Sequence, residues 1–269
     1  MTAGPKEIIW DAEAHTIAKI RILEEYLKAY FLILGRTQRK LDFLYIDGFA
    51  GPNAYINFKY GSPSAALNAV QSARTQLGPE WIAGTINCAF VESDRRRYEY
   101  LVQSLPKPAI DGTYVQTYNA EFAAALNDIR GEFTEPFDSA APLFAFIDPF
   151  GATGAPFEAV ASILASPRSE VLLNLDADGI VRLTRANNES HLTQIFGDQS
   201  WRGKFDAAHS FHESSREVLQ IYKARLRTLP GVEYIWQVEM RGRSDTLNYF
   251  LVFAMEIDFR GGHEDGVLF

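Results

Sequence analysis

The sequence predicts an α/β chain: a doubly wound sheet of parallel strands, preceded by an N-terminal helix and closed by an antiparallel hairpin. Three observations predict it. Apolar, β-rich runs alternate five times with segments of helical spacing, the pattern of a parallel sheet with right-handed crossovers and helices on both faces. Three of those runs end in an acid, at Asp47, Glu92 and Asp148. The last two β-rich runs, 232–240 and 247–255, lie too close together for a crossover helix and therefore pair as a hairpin.

Each element follows from its local pattern. Within 13–33, Ile17, Ile20, Leu23, Tyr26, Leu27 and Tyr30 recur at helical spacing, so a helix occupies an N-terminal extension over 1–40. Residues 41–47 form the first strand. Ser62 then reads as an N-cap with Pro63 in the first turn of a helix running to about Gln76. Strands at 86–92, 113–118, 143–148 and 170–176 alternate with helices at 94–105, 121–133 and 156–164. The polar stretch 177–215 has helical character and reads as an insertion, a lid or a partner surface.

Composition sets the bounds. With 269 residues, 47% hydrophobic and 22% charged, the chain can bury one sizeable core, and 1–269 reads as a single domain. It contains neither an apolar run of about eighteen residues nor the basic-then-apolar start of a signal peptide, so a cytoplasmic location without a membrane is expected. Cys88, the single cysteine, excludes an internal disulfide and a thiolate metal cage, and reads as strand filler. The net charge of −8 disfavours a broad grip on phosphates. Basic clusters at 36–40, 95–97, 223–227 and 241–243 read as solvated helix ends and turns.

Ligands of open α/β sheets bind outside the carboxyl ends of the strands, where strand order reverses. Asp47, Glu92, Asn119, Asp148 and the segment after Leu175 all occupy such ends. Five parallel strands with a terminal hairpin is the Rossmann-like layout of class I methyltransferases, whereas dinucleotide dehydrogenases usually stay parallel through a sixth strand. Gly48 and Gly51 lack the third glycine and the interval of a dinucleotide fingerprint, which disfavours NAD. They do let the backbone of Gly48, Phe49, Ala50 and Gly51 pass close to a ligand. Glu92 suits the two hydroxyls of an adenosine ribose, or with Ser93 and Asp94 the capping of a helix. Asp148 and the Pro149 carbonyl can accept hydrogen bonds from an exocyclic amine while Phe150 stacks on the ring that bears it; Gly151 completes what could equally be an ordinary turn.

Other residues keep alternatives open. Lys19 could reach a cofactor carboxylate or a substrate phosphate, or be a surface lysine. Arg182 could orient substrate, or pair with Asp176 and Asp178, which read as an acidic loop at the mouth. His209 and His212 lack the companions of a zinc site, so no metal is expected.

As a set, these residues resemble the three-Cys-motif partner protein family, a methyltransferase-like family of bacteria and phages. His15, Lys19, Leu23, Tyr26 and Leu27 carry the likeness, followed by 45–52 with Tyr55, then 61–63, 90–92 and 146–151, and it extends to Asn174 and Arg182. More distantly, the turn with Tyr55 is similar to ribosomal-RNA adenine-N6 methyltransferases, and 148–151 to tRNA guanine-N2 methyltransferases. The resemblance implies S-adenosylmethionine as cofactor, with Asp47 to Pro52 around its methionine part, Glu92 on the ribose, Asn119 near the adenine and Asp148 to Phe150 at the transfer centre. It also implies a protein partner bearing three cysteines. One departure is Asn53, where the family tends to have glycine. The expected function is N-methylation of an exocyclic amine of a nucleobase in RNA or DNA; the alternative is a non-catalytic or partner-dependent subunit.

Overall fold

The computed structural model describes residues 7–106, 111–139, 141–206, 208–241 and 247–256. Helix α1 (Ala14–Thr37) leads into β1 (Phe43–Asp47), followed by α2 (Ser62–Leu77), β2 (Ile86–Val91), α3 (Arg95–Ser104) and β3 (Thr113–Tyr118). Next come α4 (Phe122–Glu132), the short α5 (Thr134–Asp138), β4 (Leu143–Ile147), α6 (Phe157–Leu164) and β5 (Ser169–Leu175). Three helices, α7 (Ala177–Arg185), α8 (Glu189–Phe196) and α9 (Phe211–Leu226), precede the hairpin of β6 (Val232–Arg241) and β7 (Leu247–Glu256). The hairpin connection, including Gly242 and Arg243 of the last basic cluster, lies outside the described residues.

One seven-stranded sheet has the order β3-β2-β1-β4-β5-β7-β6. β1 to β5 pair in parallel, and β7 runs antiparallel to both β5 and β6. This is the class I, Rossmann-like layout predicted from the terminal hairpin. Along β1, Phe43 and Tyr45 face α1 and α2 with Phe90, Phe144 and Phe146, whereas Leu44 and Ile46 face the helices of the opposite layer with Ala89, Ala145 and Ile147. Burial on both faces is why these strands read as unbroken apolar runs. Strand order reverses between β1 and β4, so the crevice opens at Asp47 and just after Ile147.

Several local expectations change. Gly61, not Ser62, is the N-cap of α2 and has no capping side chain; Asn53 supplies the cap instead. Its Oδ1 accepts the Ser64 N–H at 2.9 Å, its Nδ2 donates to Ser64 Oγ at 2.9 Å, and its φ is 59°. Asparagine tolerates this left-handed conformation, so the departure at Asn53 fits the turn and ties it to the helix.

Within 177–215 lie α7, α8 and the start of α9, and the apolar residues Ala177, Ile180, Val181, Leu192, Ile195 and Phe196 belong to the core shared with β4 and β5. Asp176 and Asp178 are not a loop: Asp176 caps α7 by accepting the Gly179 N–H at 2.8 Å, and Asp178 lies in its first turn. Two residues of the basic clusters are not solvated either. Lys223 is buried and donates to Gln237 Oε1 at 2.6 Å, and Arg97 is buried between aromatic rings. Among the described residues, no helix is long and apolar enough to cross a membrane.

Candidate active site

The turn after β1 is shaped by two glycines with different work to do. At Gly48, whose N–H donates to Phe146 O at 2.9 Å, a Cβ would stand 2.8 Å from the Phe122 ring, so glycine is there for close packing and not for a positive φ. At Gly51, φ is +59° and a Cβ would meet nothing within 4 Å, so the chain turns left-handed beside open space. Between them, Phe49 packs on Phe122 and the Ala50 N–H donates to Val91 O at 2.8 Å, which draws the turn across the end of β2. Pro52 O accepts from Ser104 Oγ at 3.1 Å.

Three acids surround this turn. Asp47 is fully buried; its Oδ1 accepts the Phe49 N–H at 3.3 Å, and its Oδ2 has no hydrogen-bond partner. Burial pushes its carboxyl up to about 7, with Asp148 and Glu92 adding to the rise; the Phe49 N–H opposes it, as does the nearby Ser62 hydroxyl, which stops short of hydrogen-bond geometry. Glu92 is buried as well and accepts the Asp94 N–H at 2.7 Å; burial raises its pKa, against the pull of that N–H, Arg97 and the Gly51 N–H. The capping of α3 falls to Asp94, whose Oδ1 accepts from the Arg96 and Arg97 N–H groups. Exposed Asn119 donates to Glu92 O at 2.9 Å and Ser93 O at 3.1 Å, fastening the end of β3 to that of β2.

Asp148, just beyond β4, is held from two sides. Lys19 of α1 donates to both its oxygens, and Asn174 of β5 donates to Oδ1 at 2.6 Å. Lys19 is thus neither a surface lysine nor an unengaged cation: it is 7% exposed, and its ammonium lies 4.9 Å from the centre of the Tyr249 ring. Tyr249 donates in turn to His15 O at 3.2 Å. Arg182 lies on α7, exposed, where its charge acts on Asp176 and Asp178; Lys19 and Asn174, in contrast, reach the crevice.

An aromatic group completes the mouth. Phe150 is 42% exposed and packs edge-on against Trp10, ring centres 5.5 Å apart; Tyr55 meets the same indole at 5.6 Å. Tyr55 is held well above the usual phenol range by burial and the nearby carboxylates of Asp148 and Asp47. The Arg97 guanidinium lies 5.0 Å from Trp10 and 5.2 Å from Phe150, bridging the ends of β2 and β4. Trp10 is fixed there because the Ile56 N–H donates to its carbonyl and Ala12 exchanges two hydrogen bonds with Asn57. Sequence reasoning missed Trp10, Tyr249 and Arg97. A tryptophan in a polar N-terminal stretch was the available signal for the first; nothing local marks the others.

No protein-family model matches the chain, so the resemblance to the three-Cys-motif partner family gains no support there. A comparison with curated proteins returns no match. Among solved structures, the chain is similar to an O-methyltransferase from Bacillus cereus in complex with SAH, at 12% identity and a TM-score of 0.46 over 95% of this chain and 94% of that one. It is also similar to the O-methyltransferase TomG from Streptomyces achromogenes in complex with SAM, at 12% identity and a TM-score of 0.43 over 92% of each chain. A SAM-dependent methyltransferase from Methanosarcina mazei follows at 13% identity and 0.37, over 84% of this chain and 97% of the other. At such identities and scores these likenesses carry no functional weight.

Proposed function

We propose that the chain is an S-adenosylmethionine-dependent methyltransferase whose acceptor is an exocyclic amine on a planar ring such as a nucleobase. The observation that carries this reading is the meeting of Asp47, Glu92 and Asp148 around an open glycine turn at the point where strand order reverses. The residues fit the cofactor. Asp47 Oδ2, buried and unpartnered, suits the ammonium of the methionine part, and the backbone from Gly48 to Pro52 lines it. Buried Glu92 suits the ribose hydroxyls, and Asn119 stands at the rim where the adenine would lie.

When bound, S-adenosylmethionine supplies an electrophilic methyl group. The chain's own part is to hold and aim. Asp148 and the Pro149 carbonyl accept hydrogen bonds from the amine, which leaves its lone pair directed along the transfer axis. Phe150 and Trp10 offer ring faces to the acceptor. The nitrogen would supply the electron pair of the new C–N bond while the pair of the methyl–sulfur bond stays on sulfur, leaving S-adenosylhomocysteine as the thioether, and the proton the nitrogen then sheds would pass by way of Asp148, which is partly exposed, to water.

Calorimetry with S-adenosylhomocysteine, together with methyl incorporation from labelled cofactor into total tRNA, single-stranded DNA and free nucleosides, tests the reading. Asp148→Ala should lose transfer while keeping cofactor affinity within a few-fold. Undiminished turnover in that variant sinks the assignment of Asp148. Cofactor binding without transfer until a cysteine-bearing partner is added would favour the partner-dependent subunit.

A further inference from the structure

Lys19 and Asp148 meet across 129 positions of sequence, at 2.6 Å to Oδ1 and 2.7 Å to Oδ2. A carboxylate offers about four lone-pair sites. Lys19 takes one on each oxygen and Asn174 takes the second on Oδ1, so among the described residues one site on Oδ2 stays open. The side chain of the acid is 22% exposed and that of the lysine 8%, so the acid is the more accessible member of the pair.

The pairing sets the charge that an acceptor meets. An unpaired Asp148 would attract any cation in the crevice, including a protonated alkylamine, which has no lone pair to offer. It would also stabilise the cationic ground state of the cofactor, and stabilisation shared by ground and transition states adds nothing to the chemical step. Paired with Lys19, Asp148 keeps a hydrogen-bond acceptor without presenting a net charge. Resting on the proposal that Asp148 stands at the transfer centre, we infer that Lys19 is a positioning residue: it makes the site select neutral N–H donors, which give one hydrogen bond to Asp148 Oδ2, over cationic amines.

Sinefungin tests this without knowledge of the acceptor, because it carries an amine where S-adenosylmethionine carries its methyl sulfonium, and is otherwise close to S-adenosylhomocysteine. The affinity ratio of the two ligands therefore reports the charge at the transfer position and cancels general damage to the fold. Wild type should show no more than a few-fold preference. Lys19→Met should raise the preference for sinefungin by about tenfold, Asp148→Asn should lower it by about tenfold because Lys19 then faces the amine alone, and the double variant should return near the wild-type ratio. Lys19→Arg should keep that ratio. Because Asp148→Asn changes no volume, it keeps the test open should Lys19→Met not fold. Ratios that do not move in either single variant, with both ligands bound, overturn the inference and leave the cofactor site standing. Binding of neither ligand by wild type removes the methyltransferase reading and the inference with it.

Discussion

Asp47 shows how a single side chain couples stability to the site. Burial lifts its pKa from 3.8 to about 7, so the folded chain keeps a proton that the unfolded chain has released. Stability therefore falls as pH rises from about 4 to about 7, by on the order of 4 kcal/mol, and levels off above that. Asp47→Asn should remove this slope, so urea titrations at pH 5 and pH 8 should differ less for the variant than for wild type; an unaltered slope would contradict the burial argument. Placing an acid at the end of each of three strands was legible in the sequence, because apolar runs ending in a carboxylate stand out. Which cation reaches which acid was not. Lys19 finds Asp148, and Arg97 its two rings, only through the fold, and a basic residue near helical positions looks solvated until its neighbours from other elements are known.

At the scale of elements, α1 is fastened to the sheet by a buried polar contact. Tyr26 donates a hydrogen bond to Glu170 of β5, inside a cluster that includes Tyr30, Phe144 and Phe253. Glu170 is pushed up to about 7 by burial, against the pull of the Tyr26 hydroxyl and Arg168. Tyr26→Phe removes the hydroxyl and should raise the glutamate further. The cost should thus be small below about pH 6, where the acid is protonated either way, and grow to about 1–3 kcal/mol at pH 8, read from chemical denaturation at the two pH values. A pH-independent loss would place the contribution in packing. Because α1 also carries Lys19, the same contact steadies the Lys19–Asp148 pair. The seven strands and the helices between the first five were readable from periodicity and spacing to within a residue or two, but α1 runs four residues beyond the expected 33, and α5 and the part of α9 beyond 215 were not foreseen. The role of α1 as a layer of the sandwich was not, since an amphipathic helix says that it is covered but not by what. The same limit explains 177–215, where polar residues on the exposed faces of α7 and α8 hid the buried stripe of Ile180, Leu192 and Ile195.

For the whole molecule, the net charge of −8 constrains how a nucleic acid could be an acceptor. Several exposed arginines are matched by acids: Arg36 with Glu80 at 2.8 Å, Arg95 with Glu99 at 2.9 Å, Arg216 with Glu239 at 3.5 Å. A surface of this kind does not track a phosphate backbone, so an RNA or DNA acceptor would be held chiefly through the ring that enters the crevice between Asp148, Phe150 and Trp10. Each neutralised phosphate steepens the dependence of affinity on salt, and one or two contacts allow a loss of only about tenfold between about 50 and 200 mM salt. Methyl incorporation into total tRNA at subsaturating RNA, measured across that range, should stay within this limit. A loss of about a thousandfold would instead require six or more phosphate contacts and would contradict an acceptor held chiefly through its ring.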